Sequence, residues 1–115
     1  MRVQALIAAL LFLAAAGAHA DCPRPSGTPP AIPDGATATE ESMKAGHDAL
    51  QAYVNTLETY RACLKQQADN PPPDTAPEQV VSWVAQGDAA VDNASYLAAQ
   101  FSAALKQFKA RQTAK

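Results

Sequence analysis

The sequence of 115 residues lacks the features by which most enzymes and nucleic-acid-binding proteins are recognised. It contains no glycine-rich phosphate loop, no Cys-x-x-Cys pair, no metal-ligand cluster and no constellation typical of a catalytic nucleophile. Nine basic residues stand against eleven acidic ones, which gives a formal net charge of −2 and no basic field for nucleic acid. We therefore expect a protein that is not an enzyme, holds no cofactor or metal and binds no nucleic acid.

The first twenty residues have the pattern of an export signal. Arg2 supplies a short basic start, residues 5–16 form an unbroken apolar run, and Ala18-His19-Ala20 matches the small-x-small pattern of a cleavage site. The apolar run is shorter than the ~20 residues that a membrane-spanning helix needs. We predict that residues 1–20 are a cleavable signal peptide and that the mature chain is periplasmic or secreted, without a transmembrane span.

Two cysteines, Cys22 and Cys63, are the only ones in the chain. An even number of cysteines in an oxidising compartment favours a disulfide. The path lengths agree: about fifteen extended residues from Cys22 to Thr37 span ~46 Å. About twenty-six helical residues from there to Cys63 span ~39 Å, so an extended segment can run back along the first helix. The sequence thus predicts a Cys22–Cys63 bridge.

The nine prolines lie in two clusters that separate two long proline-free stretches. Each stretch begins with a capping-box pattern, Thr37 to Glu40 in the first and Thr75 to Glu78 in the second. The link between them is short and rich in proline, so the helices must fold back on each other. The predicted organisation is a proline-rich arm, a first helix and a second helix, at residues 21–36, about 38–68 and about 77–111, with the hairpin spanning 37–112.

Apolar residues recur every seven positions in both stretches, as in a coiled coil. The repeat in the first stretch is Met43, Leu50, Leu57 and Leu64, joined by Gly46, Tyr53 and Tyr60. The repeats in the second are Val84, Val91, Ala98 and Leu105, and Val80, Gly87, Ala94, Phe101 and Phe108. Large residues then face small ones, which pairs Tyr60 with Gly87, Tyr53 with Ala94, and Phe101 with Gly46. The predicted fold class is an all-α antiparallel two-helix hairpin, and Gly87→Leu is expected to overpack it.

Four large side chains are candidates for an interaction surface. They lie beside the predicted stripes or are left over from them: Trp83, Tyr96, Val54 and Leu97. An apolar strip on the side that the arm leaves open favours a symmetric dimer. The alternative is that Ala99, Ala103 and Ala104 make the strip too small for association.

The end of the second helix carries basic residues and no acid after Asp92: Lys106, Lys109, Arg111 and Lys115. These cations either complement the negative end of the helix dipole or contact an anionic surface such as lipid headgroups.

Two segments, Ile32-Pro33-Asp34-Gly35-Ala36-Thr37-Ala38-Thr39-Glu40-Glu41-Ser42-Met43 and Tyr53 to Leu64, resemble a group of small exported proteobacterial proteins. The resemblance covers roughly residues 22–64 and does not include the second helix. The group has no assigned activity, so the resemblance implies an exported helical protein and no residue-level role.

A small hairpin buries little core and usually needs a covalent cross-link or a partner for its stability. The leading hypothesis is therefore a non-enzymatic exported protein that mediates protein interaction or self-association, with an envelope protein or a second copy as partner. The alternative is a small periplasmic binding or chaperone-like protein for a ligand, a metal or an unfolded client.

Overall fold

The computed structural model describes residues 22–25 and 27–114, so the predicted signal peptide lies outside the described residues. Two helices, α1 (Glu40–Asp69) and α2 (Pro77–Thr113), pack against each other, and the described ranges contain no strand. The two helices run antiparallel, because Tyr60 near the end of α1 meets Gln86 near the start of α2. The predicted all-α hairpin is confirmed, with helix bounds that differ from the prediction by no more than two residues.

Both helices begin with different caps from those predicted. The α1 N-cap is Thr39, whose Oγ1 accepts from the Ser42 backbone N–H at 3.1 Å while Ser42 Oγ accepts from the Thr39 N–H at 3.0 Å. Thr37 lies in a turn before the helix, where its N–H donates to the Asp34 carbonyl, and α1 starts three residues later at Glu40. The α2 N-cap is Ala76, which places Pro77 at the first helical position, where its missing N–H costs nothing.

The predicted core stripe of α1 is confirmed, since Met43, Leu50, Leu57 and Leu64 are all buried. The buried residues of the two helices form two clusters along the hairpin. The first contains Met43, Leu50, Leu97, Phe101 and Ala104. The second contains Leu57, Tyr60, Leu64 and Ala90.

The prediction for α2 was partly wrong. Its buried residues are Gly87, Ala90, Leu97, Phe101 and Ala104. Ala90, Leu97 and Ala104 belong to a seven-residue repeat one position before the predicted Val84 repeat. Val84 and Val91 are exposed instead. The helix carries apolar residues on more than one side, so periodicity alone did not identify the side that packs on α1.

The facing pairs are also only partly as predicted. A Cβ added at Gly46 would lie 3.8 Å from the Phe101 ring, which confirms that pair. The Tyr60–Gly87 pair is not seen: within 4 Å, a Cβ at Gly87 would meet only Arg61 Cγ, at an ordinary contact distance of 3.6 Å. The Tyr60 hydroxyl donates to the neighbouring Gln86 Oε1 at 2.9 Å. The Gly87→Leu defect expected from Tyr60 therefore lacks that contact and stays a prediction.

The arm, described at residues 22–25 and 27–39, returns along the hairpin as predicted and is bonded to α1. Cys22 and Cys63 form a disulfide with an S–S distance of 2.01 Å and a Cα–Cα distance of 5.6 Å. Ile32 packs against the first core cluster, and the half-buried Cys22 packs against the second. The arm thus closes one side of both clusters.

Two glycines allow the arm to approach the helices closely. A Cβ at Gly46 would lie 2.5 Å from Pro33 Cγ, well inside van der Waals contact. A Cβ at Gly35 would collide with the backbone carbonyl of Ala104. The turn that presents Gly35 is held by Asp34, whose Oδ1 accepts from the Ala36 N–H at 2.9 Å. The absence of a side chain at both positions is therefore a packing requirement.

The two helical glycines should respond oppositely to alanine. Gly87→Ala should raise the free energy of unfolding by about 0.5–1 kcal/mol, because alanine is the better helix former and the new methyl group has room. Gly46→Ala gains the same helix propensity but drives its methyl group into Pro33, so it should be less stable than Gly87→Ala by about 1–3 kcal/mol. Urea denaturation of both variants measures the difference, and equal stabilities would contradict the close packing of the arm.

Removing the bridge should destabilise the protein without removing the helices. The sequence separation of 41 residues corresponds to about 4 kcal/mol in the chain-entropy model. Urea denaturation of the oxidised protein, compared with the Cys22→Ser/Cys63→Ser double variant, should show this loss, while circular dichroism remains helical in water. An unchanged midpoint would mean that closing the loop contributes nothing.

Candidate interaction surface

The arm covers one side of the hairpin and leaves the other side open. Near the disulfide, a groove between the arm and the helices is lined by Arg24, Pro25, Tyr60, Gln86 and Asn93 together with neighbouring side chains. At the other end, the arm reaches α2 at Ala104 and Gln107. These α2 residues lie on one flank of the helix, since 100° of rotation separates successive residues.

Arg111, near the end of α2, binds the backbone of the arm. Its guanidinium donates to the Ala36 carbonyl at 2.5 Å and also to the Ala38 carbonyl, and it lies over the Phe108 ring at 5.4 Å from the centroid. Sequence reasoning considered only the helix dipole and an anionic surface for this residue. The carbonyls that it binds are 75 and 73 positions away in the chain, so no local pattern pointed to them.

The four predicted interaction residues have different environments. Leu97 is 6% exposed in the first core cluster, so its assignment to an outer surface was wrong. Val54 and Trp83 are half-buried, and each packs against a core cluster. Tyr96 is 63% exposed, and its hydroxyl accepts from Gln100 Nε2 at 2.9 Å. Tyr96 alone of the four is a freely accessible side chain.

Among residues 22–25 and 27–114, the exposed large apolar side chains all belong to α2. They are Val81 at 68%, Val84 at 49%, Val91 at 40% and Tyr96 at 63% exposure. The described part of α1 has no exposed large apolar side chain. An α-helix that packs on one side only should be polar on its outer sides, so the outer surface of α2 departs from the usual pattern.

Val84 and Val91 lie on the flank of α2 that faces away from the arm. They belong to a line of side chains that we call the outer stripe: Val84, Val91, Ala98 and Leu105. Leu105 is half-buried and packs in part against the first core cluster, whereas the other three are exposed. Val91 is about 200° around the helix from Asn93, which borders the arm. An open groove beside the stripe is lined by Val91, Ser95, Glu58, Arg61 and their neighbours. The outer stripe thus adjoins the surface of α1, and the arm does not cover it.

Charged residues border the outer stripe, and sequence reasoning noticed only the basic ones. Asp88 and Asp92 lie beside its first half, and Lys106 and Lys109 lie beside its second half. All four are exposed, and none of them belongs to an ion pair within the described part of the chain. Each pair is like-charged at helix-neighbour spacing, which is mildly destabilising for an isolated helix.

Other features of the surface give weaker indications of function. The turn between the helices borders an open groove lined by Gln67, Pro72, Thr75, Trp83 and neighbouring residues. Within residues 22–25 and 27–114, no three His, Cys, Asp or Glu side chains are grouped so as to hold a metal ion. Neither described helix combines the length and the apolarity needed to cross a membrane.

Comparison with protein-family models, with curated proteins and with solved structures gives no match.

Arg111→Gln should loosen the end of the arm. The variant loses hydrogen bonds from a charged group to two backbone carbonyls, and we expect a loss of about 1–2 kcal/mol in the free energy of unfolding, since the site is only half-buried. The matched control is Lys44→Gln, which removes an equal charge from an exposed α1 position and should change stability by less than about 0.5 kcal/mol. Urea denaturation of both variants tests this. Equal effects would mean that Arg111 acts only through net charge.

Proposed function

We propose that this chain is a non-enzymatic exported protein whose helical hairpin presents α2 as a binding surface for another protein chain. The observation that carries the proposal is the concentration of exposed large apolar side chains on α2, with none on the described part of α1. Apolar anchors surrounded by polar residues are typical of protein interfaces, and aromatic residues such as Tyr96 are frequent among them. The surface offers no comparable support for catalysis.

The rest of the molecule supports this proposal by holding α2 rigidly. The arm, the disulfide and Arg111 all act on the side of the hairpin opposite the outer stripe. A surface on a pre-ordered helix loses little conformational freedom when it binds, which favours association. The architecture is thus suited to presenting the side of α2 that the arm leaves open.

Export is the second part of the proposal. The signal-like pattern of residues 1–20 and the disulfide both favour an oxidising compartment, periplasmic or extracellular. The resemblance to small exported proteobacterial proteins is consistent with the same location and remains a prediction. A small binding or chaperone-like protein is the alternative, for which the open grooves at the turn and beside the arm are the available sites.

Site-specific photo-cross-linking in living cells tests the binding surface. The full chain is expressed in a bacterium that recognises its signal, with benzoylphenylalanine in place of Val91, in place of Tyr96, or in place of Ala52 on the outer side of α1. We expect discrete cross-linked products from Val91, which lies on the outer stripe, or from Tyr96, which is exposed about 140° further around α2. Ala52 is the control, because it is exposed but has no large apolar neighbour among the exposed residues.

Equal cross-linking from all three positions, or none from any of them, would overturn the proposed binding role. The same cells report the location of the protein. Cleavage after Ala20 and two cysteines that resist alkylation before reduction are expected of the exported form. An uncleaved chain with free thiols in the cytoplasm would overturn the export part of the proposal.

A further inference from the structure

The charges beside the outer stripe follow a self-complementary pattern. Asp88 and Lys109 each lie four residues after a stripe position, and they are three heptads apart. Asp92 and Lys106 each lie one residue after a stripe position, and they are two heptads apart. Within each pair the residues occupy the same heptad position and carry opposite charges. In a straight α-helix the drift of about 20° per heptad separates their directions by about 60° and about 40°, so each pair still lies on one side of the stripe.

The apolar residues share the centre of this pattern. The midpoints of Asp88 and Lys109, of Asp92 and Lys106, and of Val91 and Leu105 all lie at Ala98 and Ala99. A two-fold axis at this point would place each acid opposite a base of the second copy and Val91 opposite Leu105. No such pairing is possible within one copy, because Asp88 and Lys109 are about 32 Å apart along the helix.

We infer that the partner bound by the outer stripe is a second copy of this chain, with the two α2 helices packed antiparallel about Ala98. This inference rests on the proposed function, because it names the partner of the same surface. The occupant is specified by charge: an antiparallel copy neutralises both halves of the stripe, whereas a wholly acidic or wholly basic protein would neutralise one half and be repelled by the other. An anionic membrane would likewise be repelled by Asp88 and Asp92.

The shape of the stripe is compatible with close approach of the two helices. Ser95, Ala98 and Ser102 lie at its centre and are all exposed. Small residues at the crossing point let the backbones come near, so that Val91 can contact the part of Leu105 that the first core cluster leaves exposed. The arm lies on the opposite flank of α2, and the resulting dimer is a four-helix arrangement with both arms on the outside.

Charge reversal combined with sedimentation equilibrium tests this pairing. The oxidised protein is measured from about 1 µM to about 1 mM, a range that covers weak complexes, at low and at high salt. The variants are Asp88→Lys, Lys109→Glu and the double reversal. The control is Glu78→Lys, which changes the net charge as Asp88→Lys does, on the same helix but outside the self-complementary region.

We expect a dimer for the native chain and for Glu78→Lys, weakened by high salt. Each single reversal should raise the dimer Kd by about ten- to a hundredfold, because two attractive contacts become repulsive across the two-fold axis. The double reversal should restore the dimer. An equimolar mixture of Asp88→Lys and Lys109→Glu should also associate more tightly than either variant does alone.

The pairing is overturned if the native chain is monomeric throughout this range, if the single reversals dimerise as well as the native chain, or if Glu78→Lys is equally impaired. It is also overturned if the mixture of single variants stays monomeric. These outcomes are separable from failure of the proposed function. Cross-links from Val91 to a protein of different mass would leave the binding role standing while excluding the second copy, and the absence of any α2-specific cross-link would remove both.

Discussion

The close packing of the arm on the hairpin is the contact on which the rest of the structure depends. Two helices alone share a single seam, which leaves both core clusters open along their edges. The arm closes one edge by placing Ile32 and Pro33 against the helices, and Gly35 and Gly46 provide the necessary space. The disulfide fixes one end of this contact and Arg111 fixes the other. The open flank is therefore defined by the position of the arm.

The sequence predicted α1 and the disulfide well because each rests on a constraint that few alternatives satisfy. The α1 repeat of Met43, Leu50, Leu57 and Leu64 is the dominant apolar line on that helix, and all four residues are buried. The prolines require an extended arm, so the length of the arm alone decided whether Cys22 could reach Cys63. Where one line of apolar residues or one chain length dominates, sequence reasoning reaches the tertiary structure.

The same reasoning was less successful for α2 and for the arm contacts. α2 has apolar residues on several sides, so the buried side depends on how the helix is rotated against α1, and Leu97 was assigned to the surface instead of Val84. Gly87 was expected to accommodate the Tyr60 ring, but the Tyr60 hydroxyl donates to Gln86. Arg111 binds carbonyls more than seventy residues away, which no local pattern encodes. Of the candidate surface, Tyr96 was recognised from the sequence, whereas the outer stripe was taken for core.

The disulfide also determines how the molecule carries mechanical load. α1 begins at the end of the hairpin where α2 finishes. Tension between Glu40 and Thr113 would therefore separate the two helices progressively from that end. With the bridge in place, tension entering at Cys22 passes directly to Cys63, close to the opposite end. The load then reaches α2 through the short turn that follows α1, without first separating the two helices along their length. Oxidation thus removes the peeling geometry for tension that enters at Cys22.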